Sequence, residues 1–382
     1  TQDVAAALVP LVGEANVLVG DAISDDHTGD EALGMAHVRP LAVVRPSTTE
    51  EVAGVFTWAA ATGTPLTARG SGTGLSGACI PRAEGIVLSF ERMRALLEID
   101  VDNQVAVVQP GLTLAELDAA TAEHGLIYTV FPGESSASLG GNVATNAGGM
   151  RAVRYGVTRH NVLGLTAVLG TGEVVRTGGR FVKSTSGYDL TQLVIGSEGT
   201  LAVVTEATLK LFPRLTHGAT VLVPFPDLDH VARAVPRIVA SGIGPTILEY
   251  IDLVTMGAIT ANAGLDLGVP QEVKDAALAY LVVVLEARTA ERVEEDTAEL
   301  AGLLESMGAI DLYVLPPHAG AALIEAREKA FWTAKAAGAH DIIDVVVPRG
   351  SIPAYLDRCQ QIAAEHAGLV VGCGHAGDGN VH

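Results

Sequence analysis

The residues Arg69-Gly70-Ser71-Gly72-Thr73-Gly74-Leu75-Ser76-Gly77 place four glycines within eight positions, directly after a short apolar run. Such a segment removes side chains from one face of a loop. Its backbone N–H groups can then converge on an anion such as a phosphate oxygen. Ser71, Thr73 and Ser76 add hydroxyl donors. No Lys-Ser/Thr pair closes the loop, so it is not a P-loop. Ala78-Cys79-Ile80-Pro81 cannot open a long helix, so it is not the fingerprint of a doubly wound dinucleotide fold either. Alone, it could equally be a structural turn. Two more segments of the same character follow. One is Pro132-Gly133 with Gly140-Gly141-Asn142-Val143-Ala144-Thr145-Asn146-Ala147-Gly148-Gly149, and the other is Gly196-Ser197-Glu198-Gly199-Thr200-Leu201.

A chain of 382 residues exceeds one ordinary core, so two or three domains are expected. Residues 1–35 read as a helix-rich lead-in with a polar, mobile-looking stretch from Asp21 to Glu31. From Pro40 the pattern changes. Strands are expected at Leu41–Val44, Pro65–Ala68, Gly85–Phe90, Leu96–Ile99, Val105–Gln109, Leu165–Leu169, Glu173–Arg176 and Thr205–Leu211. Helices are expected at Thr48–Ala60, opened by Ser47, at Thr113–His124 and at Leu190–Val194. The stretch 131–150 reads as a long functional loop. Pro213 marks a boundary. Beyond it, strands at Ala219–Phe225, Thr246–Ile251, Tyr280–Glu286 and Ala309–Val314 alternate with helices at Leu228–Ser241 and Ala290–Met307, which suggests a ferredoxin-like α+β sandwich. Ile342–Val347, a helix at Ile352–His366 and a strand at Leu369–Val371 continue the pattern. The expected division is 1–35, 36–214 and 215–382.

The formal net charge of −20 argues against nucleic acid as partner, because phosphate backbones need clustered Lys and Arg. It fits a cytoplasmic surface and leaves room for a local cation to meet an anionic substrate. Cys79, Cys359 and Cys373 form no paired motif and read as structural thiols in a reducing compartment. The longest apolar stretch, Ala279 to Leu285, is far short of the ~20 residues of a membrane span. The start, Thr1-Gln2-Asp3, lacks the basic region of a secretory signal and a Met, so residues are expected to be missing there.

Gly374-His375-Ala376-Gly377-Asp378-Gly379-Asn380-Val381-His382 is the most informative stretch. Two histidines flank a tight polar turn, in which Gly377 and Gly379 let the chain fold back. Both imidazoles could then face one point, as a divalent metal requires. A histidine pair alone is a weak metal signal, and core or surface histidines are the alternative.

The three glycine-rich segments, from about Pro40 to Pro213, resemble the FAD domain of the vanillyl-alcohol oxidase / p-cresol methylhydroxylase superfamily. That resemblance implies an α+β fold: a PCMH-type FAD-binding domain of two subdomains, followed by a ferredoxin-like α+β substrate domain. It implies cofactor contacts at Arg69, Gly70, Ser71, Gly72, Thr73, Gly74, Leu75, Ser76, Gly77, Pro132, Gly133, Ser138, Gly140, Gly141, Asn142, Thr145, Gly148, Arg154, Tyr155, Gly156, Glu198 and Gly199. Some members tether FAD through a histidine in the first loop. Here that loop has Ser71, and His124 and His160 lie outside it, so non-covalent FAD is expected.

The C-terminal stretch matches the His-x-Gly-Asp-Gly-Asn-x-His motif of the glycolate oxidase / D-lactate dehydrogenase branch. By that resemblance, His375 and His382 bind a divalent metal, Zn or Mn. A Glu ligand and a His base in the family's later Gly-Glu-His segment are expected beyond residue 382. Arg327 resembles the family's substrate-carboxylate arginine, a role its bidentate fork suits. A surface salt bridge with Glu325 or Glu328 is the competing reading. Members acting on 2-hydroxyglutarate carry a Lys before an Asp-Val-strand-Pro segment. Ile342-Ile343-Asp344-Val345-Val346-Val347-Pro348 lacks it, which disfavours a dicarboxylic substrate.

The implied activity is FAD-dependent oxidation of a small D-2-hydroxy acid, D-lactate or glycolate, to the 2-keto acid. Electrons would pass to an external quinone, flavoprotein or cytochrome, and the protein would be a homodimer, cytoplasmic or peripheral at the inner face of a membrane. The alternatives are a non-catalytic FAD subunit of a glycolate-oxidase-type complex, and an alcohol or sugar oxidase on the same FAD domain.

Overall fold

The computed structural model describes residues 2–382 and divides into two compact units. The first comprises the chain up to Gly148 and Val157–Arg214; the second comprises Gly149–Gly156 and Leu215–His382.

The first unit contains two sheets. Strands Ala42–Val44, Ile86–Ser89 and Leu66–Arg69 run parallel, with Val17–Leu18 added antiparallel at one edge. The helix Thr49–Thr62 buries Val52, Val55 and Phe56 in the same core as Leu8, Val44, Ile86 and Leu88. Its N-cap is Thr48, whose hydroxyl accepts from the Glu51 N–H. Ser47, the expected opener, instead donates its N–H and hydroxyl to the Glu51 carboxylate. That second contact fixes the entry of the chain one residue earlier. The second sheet is fully antiparallel, in the order Leu96–Asp100, Val105–Val108, Ala202–Lys210, Val162–Leu169, Val174–Gly178.

The stretch 131–150 is not all loop. Ser138 caps a short helix, Leu139–Thr145, by accepting from Gly141 N–H. Two adjacent glycines hid it, because they lower helix propensity. The lead-in is also better ordered than its polarity suggests. Asp25–Thr28 forms a 3₁₀ turn with His27 and Thr28 buried, and Arg39 donates to the Ile23 carbonyl at 2.7 Å.

In the second unit, one antiparallel sheet runs Tyr313–Leu315, His217–Phe225, Ala279–Ala287, Ile247–Asp252, Cys373–Gly374. The first four strands have the 4-1-3-2 order of a ferredoxin-like fold, and the fifth extends its edge. Val221, Val223, Leu281 and Val283 meet the helices Leu228–Ser241 and Ala290–Glu305 on one face. Leu222, Ile251, Tyr280 and Val282 meet the helices Leu253–Ala263 and Pro317–Glu328 on the other. Cover on both faces explains why Ala279–Leu285 reads as continuously apolar.

Several boundaries differ from expectation. Ala309–Val314 yields a strand only at Tyr313–Leu315, and Ile342–Val347 only at Val345–Val346. Leu369–Val371 is not a strand; the pairing begins at Cys373. Strand identity there is set by a partner on the sheet edge, which local apolarity cannot report. Among the described residues, no helix is long and apolar enough to cross a membrane.

Asp252 ties the edge strand in place. Its Oδ1 accepts from Thr255 N–H at 2.7 Å, capping the helix Leu253–Ala263, and its Oδ2 accepts from Gly372 N–H at 2.5 Å. Asp252→Ala is expected to destabilise the second unit by about 2–3 kcal/mol, a lost cap plus a lost charge-assisted hydrogen bond. Urea unfolding followed by far-UV circular dichroism measures this.

Candidate active site

In the first unit the three glycine-rich segments form one structure. Ser71 N–H donates to Ser138 Oγ at 3.2 Å, and Ser138 N–H donates to Ser71 Oγ at 2.7 Å. A Cβ on Gly70 would run into that same Ser138 hydroxyl, so only glycine permits the approach. Gly196 and Glu198 N–H groups donate to the carbonyls of Val143 and Ala144, at 3.0 and 2.9 Å. The third segment is thereby bound to the short helix of the second. Glu198 (φ 51°) and Asn146 (φ 52°) hold left-handed backbone without being glycine. Strain of this kind persists where the surroundings over-determine it, commonly at ligand sites.

The first loop is also braced from behind. Arg69 is buried and donates to the Gly29 carbonyl. Glu31 N–H donates to the Gly74 carbonyl at 2.9 Å, and Cys79 N–H to Asp30 Oδ2 at 3.2 Å. Gly29, Asp30 and Glu31 were not singled out from sequence; the acidic lead-in looked like a solvated loop.

Other expected contacts are placed as follows. Gly72, Gly77 and Gly133 have positive φ, at 74°, 81° and 87°. Gly74, Thr73 and Pro132 are half-buried, and Leu75 and Ser76 are exposed on the loop. Gly140 packs so closely on Pro110 that no Cβ would fit, and Gly148 lies against Val157. Thr145 turns its hydroxyl back to the Gly141 carbonyl at 3.1 Å. Arg154, Tyr155 and Gly156 belong to the second unit, where Arg154 donates to Thr246 Oγ1 and to the Glu286 carbonyl, each at 3.1 Å.

These residues fit a dinucleotide. The buried Asn142 Nδ2 and Ser197 Oγ have no hydrogen-bond partner within the protein. Unpaired buried donors of this kind await a polar ligand.

The second unit gathers the remaining candidates around one carboxylate. Glu249, on the strand Ile247–Asp252, is 0% exposed. Its Oε1 lies 2.6 Å from His375 Nδ1, and its Oε2 2.8 Å from Arg327 Nη2. Burial raises the Glu249 pKa, but the charges of His375, Arg327 and His382 outweigh it and hold the carboxyl down at about 2. Arg327 is itself buried, at 5% exposure. Its partner is Glu249, not Glu325 or Glu328, which removes the surface-salt-bridge reading; Glu325 pairs with Lys329. Arg327 Nε–H and Nη2–H nonetheless lack an aligned acceptor, because the ion pair is close in distance but poorly directed for hydrogen bonding.

The histidine turn is fixed on several sides. Arg349 Nε–H donates to the Gly377 carbonyl at 2.5 Å, and Asn380 Nδ2–H to Asp344 Oδ1 at 2.6 Å. A Cβ at Gly377 would strike Val153, and one at Gly379 the Val347 carbonyl. Burial pushes Asp378 up to about 6. The His375 and His382 rings stand edge to face, 4.8 Å between centroids. Burial first, then the charges of His375 and Arg327, push His382 down to about 4, so at neutral pH it is a neutral imidazole. His382 Nε2 contacts Asn380 Oδ1. A buried carboxylate on the far nitrogen of one histidine is the usual backing of a metal-bound imidazole. Among the described residues no group of three or more His, Cys, Asp and Glu side chains could hold a metal ion.

A flavin cradle in one unit, and a buried arginine with two histidines on a ferredoxin-like sheet in the other, define a two-unit flavin-dependent oxidoreductase. Comparison with known proteins agrees. Residues 40–178 match the FAD binding domain family, and residues 214–382 the C-terminal domain of FAD linked oxidases. An uncharacterized FAD-linked oxidoreductase of Mycobacterium tuberculosis is 58% identical over 372 residues, 97% of this chain and 81% of the relative. A D-lactate dehydrogenase of Archaeoglobus fulgidus is 37% identical, covering 89% of this chain and 74% of its own. The glycolate oxidase subunit GlcD of Bacillus subtilis is 35% identical, covering 100% and 80%. In fold, the chain is similar to p-cresol methylhydroxylase, with a TM-score of 0.82 at 18% identity over 100% of this chain and 81% of that one. The chain belongs to the FAD-linked oxidoreductases of the D-lactate dehydrogenase / glycolate oxidase family.

Two predictions follow from this geometry. Gly70→Val places a branched side chain against Ser138, and is expected to weaken FAD retention by about tenfold or more, the equivalent of one lost charge-assisted hydrogen bond. Flavin titration by fluorescence measures it. The second concerns Glu328, half-buried beside Arg151 and Arg327, whose carboxyl is pushed up to about 7 by burial and by Glu325. A carboxyl raised on folding contributes stability that is complete below its unfolded pKa and is lost as pH rises through its folded one. Thermal melts should therefore show Glu328→Gln matching the parent near pH 4, below the ordinary glutamate value of 4.5, and exceeding it above pH 7.

Proposed function

We propose that this protein oxidises a small D-2-hydroxy acid, D-lactate or glycolate, to the corresponding 2-keto acid. Residues 36–214 are the flavin half in this reading, and residues 215–382 the substrate half. One observation supports it above the others: Arg327 is buried, cationic and left with two undirected donors, beside a histidine backed by a carboxylate. A carboxylate ligand is the chemistry that satisfies a buried guanidinium fork. The names of the D-lactate dehydrogenase and glycolate oxidase relatives point to the same substrate class.

FAD, when bound, would supply the acceptor for the substrate's α-hydrogen and electron pair, while the hydroxyl proton leaves to a base or to solvent. A divalent ion, Zn or Mn, when bound at His375 and His382, would supply Lewis acidity at the substrate hydroxyl. The chain's own residues do the rest. The first loop, with Ser138, Asn142 and Ser197, holds the cofactor. Arg327 fixes the carboxylate end of the acid and so orients its hydroxyl-bearing carbon. His382, neutral at physiological pH, keeps a nitrogen lone pair free. Glu249 holds the Arg327 guanidinium and the His375 ring in place. The electrons then leave to an external quinone, flavoprotein or cytochrome.

Anaerobic mixing of the flavin-loaded protein with D- and L-lactate, glycolate, D-2-hydroxyglutarate and a sugar alcohol tests the reading. Bleaching of the flavin band is expected with D-lactate or glycolate, and is expected to be lost on chelation and in His375→Ala. Arg327→Met is expected to keep its FAD and lower kcat/KM by about a hundredfold or more, the equivalent of one to two charged hydrogen bonds. A yellow protein that no hydroxy acid bleaches would overturn the substrate assignment and favour a flavin subunit that needs a partner for turnover.

A further inference from the structure

Two elements meet on one face of the second unit's sheet. Tyr250 pairs with Gly374, and Ile251 with Cys373, in an antiparallel ladder. One further step of that ladder sets Glu249 opposite His375, on the same face as Ile251 and Cys373. The Asp252–Gly372 hydrogen bond locks the register. The other element is the helix Pro317–Glu328. Gly320, Leu323 and Arg327 lie three and four residues apart, on the face turned to the sheet. A Cβ on Gly320 would come within 2.6 Å of Thr220 Oγ1, so the helix lies as close to the sheet as a backbone permits. That closeness brings the Arg327 guanidinium within contact distance of Glu249.

We infer that Glu249 is a positioning residue whose single carboxylate fixes both the guanidinium of Arg327 and the ring of His375. The inference rests on the function proposed above and adds a residue to it. The two oxygens are divided between the two arms, Oε1 to His375 Nδ1 and Oε2 to Arg327 Nη2. An ionised carboxylate only accepts hydrogen bonds, so the Nδ1 of His375 carries the proton. In the neutral form of the ring Nε2 is then the free lone pair, and it points away from the carboxylate. Rotation of the ring would strand a fully buried charge, so orientation and tautomer are set together. The arm that holds the acid's carboxylate and the arm beside its hydroxyl thus share one origin on a rigid strand.

Glu249→Gln tests this without relying on turnover. A side-chain amide has one acceptor and one donor end. The guanidinium takes the acceptor, which leaves the NH₂ facing His375 and obliges Nδ1 to accept. The proton on His375 is therefore expected to move from Nδ1 to Nε2. ¹⁵N-labelled histidine in the flavin-loaded full-length protein, read by NMR at mildly alkaline pH, reports the tautomer directly. In kinetics, kcat is expected to fall by about 10- to 100-fold, as for other residues that orient ligand histidines, while KM for the hydroxy acid changes little because Arg327 stays paired. A folded, flavin-loaded Glu249→Gln protein with the proton still on Nδ1 and an unchanged kcat overturns the inference.

Where the Gln variant does not retain FAD, Glu249→Asp decides. It keeps the charge but is one methylene too short to reach both arms. Loss of the Nδ1 proton or a raised KM supports the shared anchor; retention of both parent values overturns it. A parent protein that no hydroxy acid bleaches would defeat the proposed function, and the tautomer measurement would still decide the role of Glu249.

Discussion

A carboxylate removed entirely from water is the constraint around which the second unit is organised. Ionising Glu249 at 0% exposure is unfavourable unless compensating charge is placed within hydrogen-bond reach. The Arg327 guanidinium supplies the charge at one oxygen, and His375 Nδ1–H a hydrogen bond at the other. The helix Pro317–Glu328, the central strand Ile247–Asp252 and the edge strand Cys373–Gly374 must therefore all be in place together. Asp252, Gly320 and Gly374 serve that convergence from outside it. A Cβ on Gly374 would meet both the Asn380 carbonyl and the Tyr250 ring, so the edge strand reaches its register only with glycine there. In this unit the geometry of the site and the integrity of the sheet are one problem.

The first unit solves a related problem with backbone in place of charge. Its three glycine-rich segments lie far apart in the chain, yet a reciprocal pair of serine bonds joins the first to the second, and two backbone bonds join the second to the third. The left-handed backbone at Asn146 and Glu198 falls at the second of these junctions. Closeness between main chains, and not a charged side chain, defines this cradle, as suits a cofactor that is largely polar along its length.

Much of this was readable from the amino-acid order. The ferredoxin-like alternation appears in the strand and helix periods after Pro213, and the helix Leu228–Ser241 begins and ends where its cap and glycine place it. The glycine segments and the histidine turn announced themselves because turn chemistry is local. What stayed hidden was non-local. Glu249 sits in Leu-Glu-Tyr-Ile-Asp, where one acidic residue amid apolar ones reads as the solvent side of a strand; only the partner strand and helix show that it is enclosed. The helix Leu139–Thr145 was masked by Gly140 and Gly141, and the strand Cys373–Gly374 by its two-residue length. Arg327 could be read either way until its burial was seen.

The brace behind the first loop has a consequence for how the cradle behaves before any ligand arrives. A ribbon with four glycines in eight residues has more conformational freedom to lose than almost any other sequence. Gly29, Asp30 and Glu31 remove that freedom during folding, through Arg69, Cys79 and Gly74. The ordering cost falls on the folding of the chain, so in the proposed function the cofactor would meet a preformed mould. A stretch of the lead-in thereby fixes the shape of a loop that, left to itself, would have many.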